Sequence, residues 1–140
     1  APSFTAPEAP KGLSKFFKKI TPQSEGSTGY GPDDLTSAAA QATAWSASEL
    51  THDVITQRGI DEALRSAREH LARIAELDIP VLIVHGADDP ISSPAWSRSQ
   101  EGGSVEVLVV EGQRHHPLHD SKSAEIRERI VRFVDAHSGA

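Results

Sequence analysis

Apolar positions along the chain follow two different rules. From Thr56 onward they are periodic. Ile60, Leu64, Ala67, Leu71, Ile74 and Ala75 recur at helical spacing, which predicts a helix of some four turns from about Asp61 to Leu77 with one buried face. Asp78-Ile79-Pro80 breaks it, because proline lacks an N–H and biases its predecessor toward extended backbone. Val81 to His85 is then a continuous run rich in β-branched residues, the pattern of a strand buried on both faces in a parallel sheet. Ser93-Pro94 supplies a cap and a first-turn proline for a brief helix through Trp96 to about Gln100, and Gly102-Gly103 ends it. Val105 to Val110 reads as a second strand, and Ile126, Ile130, Phe133 and Val134 mark a final amphipathic helix. Helix, strand, helix, strand, helix in that order is a right-handed parallel crossover.

The front of the chain is less regular. Residues 1–10 hold three prolines and read as a lead-in loop. Leu13, Phe16, Phe17 and Ile20 then fall on one helical stripe, with Lys11, Lys15, Lys18 and Lys19 mostly off it, so a short basic amphipathic helix is expected. Thr21 to Pro32 is rich in glycine, serine and proline and reads as a mobile connection. Asp33 and Asp34 are placed to start a helix through the alanine-rich stretch to about Trp45, with acidic charge at its positive end.

Two apolar parallel strands need neighbours, since a lone two-stranded sheet is marginal in water. The segment from Ser37 to Ala47 is too poor in β-branched residues to be a third strand. The sheet is therefore expected to be completed by residues outside this chain, against the plainer reading of a small self-sufficient α/β domain. Composition limits the remaining classes. The 140 residues carry 20 acidic and 14 basic side chains, a net charge of -6, which argues against a binder of nucleic acid. There is no apolar run near the length of a membrane span and no recognisable leader, so a soluble, cytoplasmic protein is expected, with peripheral membrane association or secretion left open. Without cysteine there are no disulfides, thiolate metal sites or thiol nucleophiles. Methionine is absent even at position 1, which suggests processing before Ala1 or a cut inside a longer polypeptide.

Ligands on open α/β sheets gather at the carboxyl ends of the strands, which here are the loops GADDPISS and EGQRHHPLHD. The first offers Asp88 and Asp89; the second offers His115, His116 and His119. An aspartate and a histidine at the ends of adjacent strands can hydrogen-bond, fixing the imidazole tautomer and stabilising the imidazolium formed when the ring takes a proton. The plainer role for Asp89 is a turn residue capping the next helix. A metal site built from the three histidines is disfavoured, because Pro117 separates the outer pair and no H-E-x-x-H motif is present. No G-x-S-x-G elbow occurs in the sequence, so a serine nucleophile is missing.

The stretch from Ile79 to Pro90, IPVLIVHGADDP, with Glu111 to His115 after the next strand, resembles the C-terminal part of an α/β-hydrolase, and within that superfamily the monoacylglycerol lipase, lysophospholipase and serine aminopeptidase group. The resemblance is strong over residues 79–120 and loose before them. It implies that Asp89, fourth in G-x-x-D, is the triad acid, and that His115, fourth in G-x-x-H, is the base. It also matches Asp120 to an acidic residue often found five positions after that histidine. Pro2-Ser3-Phe4 resembles the end of the strand that precedes the family's cap. The implied organisation is a largely helical cap over residues 1–60 and the C-terminal part of the hydrolase core over 61–140. Walls of an acyl pocket are expected from His116, Phe16, Phe17 and Ile91, with no cofactor and no metal. Tyr30, Trp45 and Trp96 are equally suited to packing or to walling a substrate site. His116 departs from the lipase-like members, which commonly have glutamate there.

What the family has and this chain lacks is the N-terminal half, with the serine elbow and oxyanion hole. The expectation is a fragment or subunit of a serine hydrolase of carboxylic, chiefly lipid, esters. Its partner is the N-terminal portion of the same hydrolase, which carries the serine, and without that partner it is inactive. The basic helix in the cap would suit an anionic lipid surface. The competing class is an α/β-hydrolase-like binding or scaffold protein that lost its serine.

Overall fold

The computed structural model describes residues 23–71 and 73–139. The expected basic helix over Leu13–Ile20, with Phe16 and Phe17, and the expected strand end at residues 2–4 lie outside them. The described elements are β1 (Glu25–Ser27), α1 (Pro32–Leu35), α2 (Ala39–Ser46), β2 (Val54–Thr56), α3 (Gln57–Ser66), β3 (Val81–Gly86), α4 (Pro94–Ser99), β4 (Val105–Val110) and α5 (Ser123–His137). A π-helical turn at Ala67–Leu71 and 3-10 turns at Ile74–Glu76 and Pro117–His119 complete the order.

The back half follows its hydrophobic pattern. β3 and β4 pair in parallel, with Val81 opposite Val105 and Gly86 opposite Val110, and α4 crosses between them. Ser93 caps α4 by accepting from the Ala95 N–H, and Pro94 takes the first position, where its missing N–H costs nothing. The pair stands apart from other described strands, and Val81 to His85 are only half-buried although parallel strands are normally covered on both faces. Among the described residues the buried apolar side chains are Ala42, Val105 and Ile126. Val131 and Val134 on α5 and Ile79 before β3 remain exposed.

Three expectations need correction. The Thr21 to Pro32 connection contains a strand: β1 pairs antiparallel with β2, Glu25 opposite Thr56, forming a second two-stranded sheet. Strands of three residues are too short to show an alternation pattern. The helix expected from Asp33 to Trp45 is two helices, interrupted at residues 36–38. There Thr36 donates its hydroxyl to the His119 carbonyl at 2.9 Å, and the Ser37 N–H donates to Asp120 at 2.9 Å. These tertiary bonds replace the helical ladder. Finally, the helix expected over 61–77 starts earlier, because Thr56 caps it by accepting from the Gly59 N–H, and it stops being α-helical after Ser66.

One close approach fixes how the two strand ends meet. A Cβ added to Gly86 would lie 2.2 Å from the Arg114 carbonyl oxygen and 2.3 Å from that of Gln113. The loop after β4 therefore rests on the bare backbone of the loop after β3, tied by Asp88 N–H to Gln113 O at 3.0 Å and Ala87 N–H to Val110 O at 2.9 Å. Both neighbours are backbone atoms, so relief requires moving a whole loop. We expect Gly86→Ala to destabilise the folded protein by about 3 kcal/mol or more, at or above the upper end of overpacking costs; a denaturation midpoint within experimental error of the parent would contradict this contact.

Candidate active site

Asp89 and His115 arrive from adjacent strand ends. Asp89 lies three residues beyond Gly86, in a turn that its own carboxylate organises. Oδ1 accepts from the N–H groups of Ile91 at 2.8 Å and Ser92 at 3.0 Å, and Oδ2 accepts from the Ser92 hydroxyl at 2.7 Å. The turn-capping role is thus real, and it leaves Oδ2 free to reach further. His115 Nδ1 sits 2.9 Å from Oδ2, with the Asp89 side chain 2% exposed and that of His115 34% exposed. Nε2 of His115 has no hydrogen-bond partner among the described residues. Asp88, by contrast, is exposed.

Burial alone would push the Asp89 carboxyl up. Hydrogen bonds from His115, His85 and Ser92 outweigh it and hold the group far below the usual carboxylate range. Asp89 is therefore an anion and an acceptor, which requires Nδ1 of His115 to carry the proton in the pair and leaves Nε2 as the basic nitrogen.

The loop bearing His115 is held by buried polar side chains. Gln113 is fully buried, donating to the Gly112 carbonyl and to the Ser121 hydroxyl while accepting from the Lys122 N–H. Asp120, 3% exposed, gathers four donors: the N–H groups of Ser37, Arg114 and Ser121 at 2.9, 2.8 and 2.7 Å, and the Ser37 hydroxyl at 2.5 Å. Burial again opposes ionisation, and these bonds reverse it, so Asp120 also lies below the ordinary range. The His116 N–H adds a bond to the Leu35 carbonyl at 2.8 Å.

A cleft of about 530 Å³ opens beside His115 and His116. Tyr30, Pro32, Leu35, Trp45 and Ile91 give it an apolar and aromatic wall, and Thr28, Ser46, Thr51, His52 and Asp53 a polar one. His116 and Ile91, both expected as pocket walls, line the cleft together with His115. Tyr30 and Trp45, equally suited to packing or to walling a site, both line the cleft; Trp96 does not. Thr28, His52 and Asp53 were missed, since they come from a short sheet and its flank with no motif to mark them. The Trp45 ring stands edge-on to His116 at 5.2 Å, and burial followed by repulsion from His115 and His119 holds His116 below the usual histidine value. Among the described residues no cluster of three or more His, Asp or Glu is arranged to hold a metal ion. No described helix is long and apolar enough to cross a membrane.

The family model for serine aminopeptidase, S33, matches residues 1–122. The chain belongs to this family. Its S33 fold is that of an α/β-hydrolase, of which it holds a part. The chain is similar to the monoacylglycerol lipase of Paleococcus ferrophilus, with a TM-score of 0.70 at 24% identity over 98% of this chain and 53% of that one. It is also similar to a soluble variant of monoglyceride lipase from Saccharomyces cerevisiae in complex with a substrate analogue, with a TM-score of 0.71 at 20% identity over 89% of this chain and 46% of that one. The S33 chain thus spans about half the length of these solved structures. No curated protein sequence matches it significantly.

In this S33 chain both Asp89 and Asp120 are depressed in the folded state, so each contributes stability that is present above the unfolded value, about pH 4, and is lost as pH falls through the lower folded value. Replacing Asp120 by asparagine removes the charge and misplaces one acceptor. We expect Asp120→Asn to cost about 2 kcal/mol or more at pH 7, with the gap to the parent narrowing as the pH is lowered below about 4. Urea unfolding at a series of pH values measures this, and a gap independent of pH would contradict the assignment.

Proposed function

We propose that this chain supplies the acid and the base of a serine hydrolase that cleaves carboxylic esters, lipid esters above all, and that the serine comes from the N-terminal portion of the same hydrolase. The observation that carries this reading is the Asp89–His115 contact at the ends of two parallel strands, with Nε2 of a partly exposed ring left available. Asp89 holds the Nδ1–H tautomer. Nε2 takes the proton from the serine hydroxyl as it attacks the ester carbonyl, and Asp89 stabilises the imidazolium so formed. The imidazolium then protonates the departing alkoxide, and the same two transfers run with water to release the acid.

Support for an ester with an apolar acyl group comes from the wall of Tyr30, Leu35, Trp45 and Ile91 beside His115, and from the two similar structures, both of them lipases. The half-buried faces of β3 and the exposed valines of α5 suit a sheet continued by the serine-bearing portion. An inactive binding protein of the same fold would keep the cleft and have no need of the Asp89–His115 pair.

The test is carried out on the hydrolase with its serine-bearing portion present. His115→Ala is expected to lower kcat on a monoacylglycerol by roughly 10⁴-fold or more, and to slow labelling of the serine by a fluorophosphonate in parallel. Turnover within about tenfold of the parent would remove His115 from this role; faster cleavage of an aminoacyl amide than of the ester would overturn the substrate class.

A further inference from the structure

We propose that His85 is a positioning residue for the Asp89–His115 pair, a second imidazole that grips the acid from the strand side and keeps its Oδ2 turned toward His115. The inference rests on the function proposed above and deepens it.

His85 is the penultimate residue of β3, four positions before Asp89, and its side chain is 13% exposed. Its Nε2 lies 3.0 Å from Asp89 Oδ2, 3.2 Å from the Ser92 carbonyl oxygen and 3.4 Å from the Ser92 hydroxyl. The carboxylate and the carbonyl can only accept, so Nε2 must carry a proton. Nδ1 lies 2.7 Å from the hydroxyl of Ser97, which is fully buried on α4. A hydroxyl donates or accepts equally well, so Ser97 satisfies Nδ1 whether His85 is neutral or charged. The Nε2–H is directed at the Ser92 carbonyl, and in both states the proton-bearing edge of the ring stands 3.0 Å from Asp89 Oδ2.

The result is a continuous line from the core of α4 to the open cleft: Ser97, His85, Asp89, His115. Without His85, Oδ2 would keep the Ser92 hydroxyl and His115, and one side of a buried carboxylate would lose the polar imidazole edge that stands 3.0 Å from it. The rotation this permits is small, but general-base catalysis depends on imidazole placement at the sub-ångström level. The bond to Asp89 raises the His85 imidazole above its usual range, against burial and the nearby Arg98, as expected for a ring that shares the acid's charge.

Two near-isosteric variants separate positioning from packing. Glutamine at residue 85 places an amide N–H where Nε2 was and keeps the Asp89 contact. Asparagine reaches only to the Nδ1 position, keeping Ser97 and losing Asp89. In the complete hydrolase, His85→Asn is expected to lower kcat about tenfold to a hundredfold with KM nearly unchanged, and His85→Gln to recover most of that loss. Imidazole nitrogen NMR gives a readout without turnover: Asp89→Asn should lower the pH at which His85 titrates. Equal kcat in the Asn and Gln variants, or a His85 titration unmoved by Asp89→Asn, would overturn the proposal. Since His115→Ala tests the proposed function separately, an inactive His115 variant beside a fully active His85→Asn variant would sink this inference alone.

Discussion

The site depends on a contact between two backbones. The loop after β4 lies directly on Gly86, with the carbonyl oxygens of Gln113 and Arg114 where a side chain would otherwise be. Because β3 and β4 are hydrogen-bonded neighbours in parallel register, their carboxyl ends emerge side by side. That alone brings the two loops to one edge of the sheet but leaves their separation open. The absence of a Cβ at residue 86 sets that separation, and Asp88 N–H to Gln113 O locks it. Asp89 and His115, each one or two residues beyond this lock, are then within hydrogen-bond reach without either side chain being stretched.

Buried polar groups hold the rest of the loop architecture. Thr36, Ser97, Gln113 and Asp120 are all buried, and each is hydrogen-bonded. Irregular backbone cannot pair with itself as helices and strands do, so a buried loop must find its partners in side chains. Such networks are stiff when complete and costly when broken. Asp120 shows the benefit: one carboxylate joins the histidine loop at Arg114 to the α1–α2 break at Ser37, so the wall of the cleft and the base it faces share an anchor.

How much of this could be read in the sequence follows from the range of the signals. The strands Val81–Gly86 and Val105–Val110 and the helix α5 were readable because burial imposes a local period or run on them. The Asp89 and His115 loops were readable because strand ends mark where chemistry collects. The break at residues 36–38 was not, since its cause lies more than 80 positions away at Asp120 and His119. Nor were β1 and β2, too short for any pattern, or the cleft residues His52 and Asp53 that depend on them. His85 was read only as the end of an apolar run, and its partners Asp89 and Ser97 show in three dimensions what a strand pattern cannot.

These observations separate two kinds of order in the chain. The strands β3 and β4 present half-buried faces, so their stability must draw on whatever covers them. The acid–base pair, however, is assembled by contacts made within the chain: Gly86 against residues 113 and 114, Gln113 and Asp120 within the histidine loop, Ser92 and His85 on Asp89. An anionic carboxylate held by several donors in a buried setting is a fixed charge, and a fixed charge needs no rearrangement when the neighbouring imidazole becomes positive. If a serine is supplied at Nε2, as proposed, most of the cost of organising the base has already been met by folding, and the remaining requirement is placement of the hydroxyl. The sequence contains no G-x-S-x-G elbow, and in the function proposed above that placement is the contribution of the serine-bearing portion.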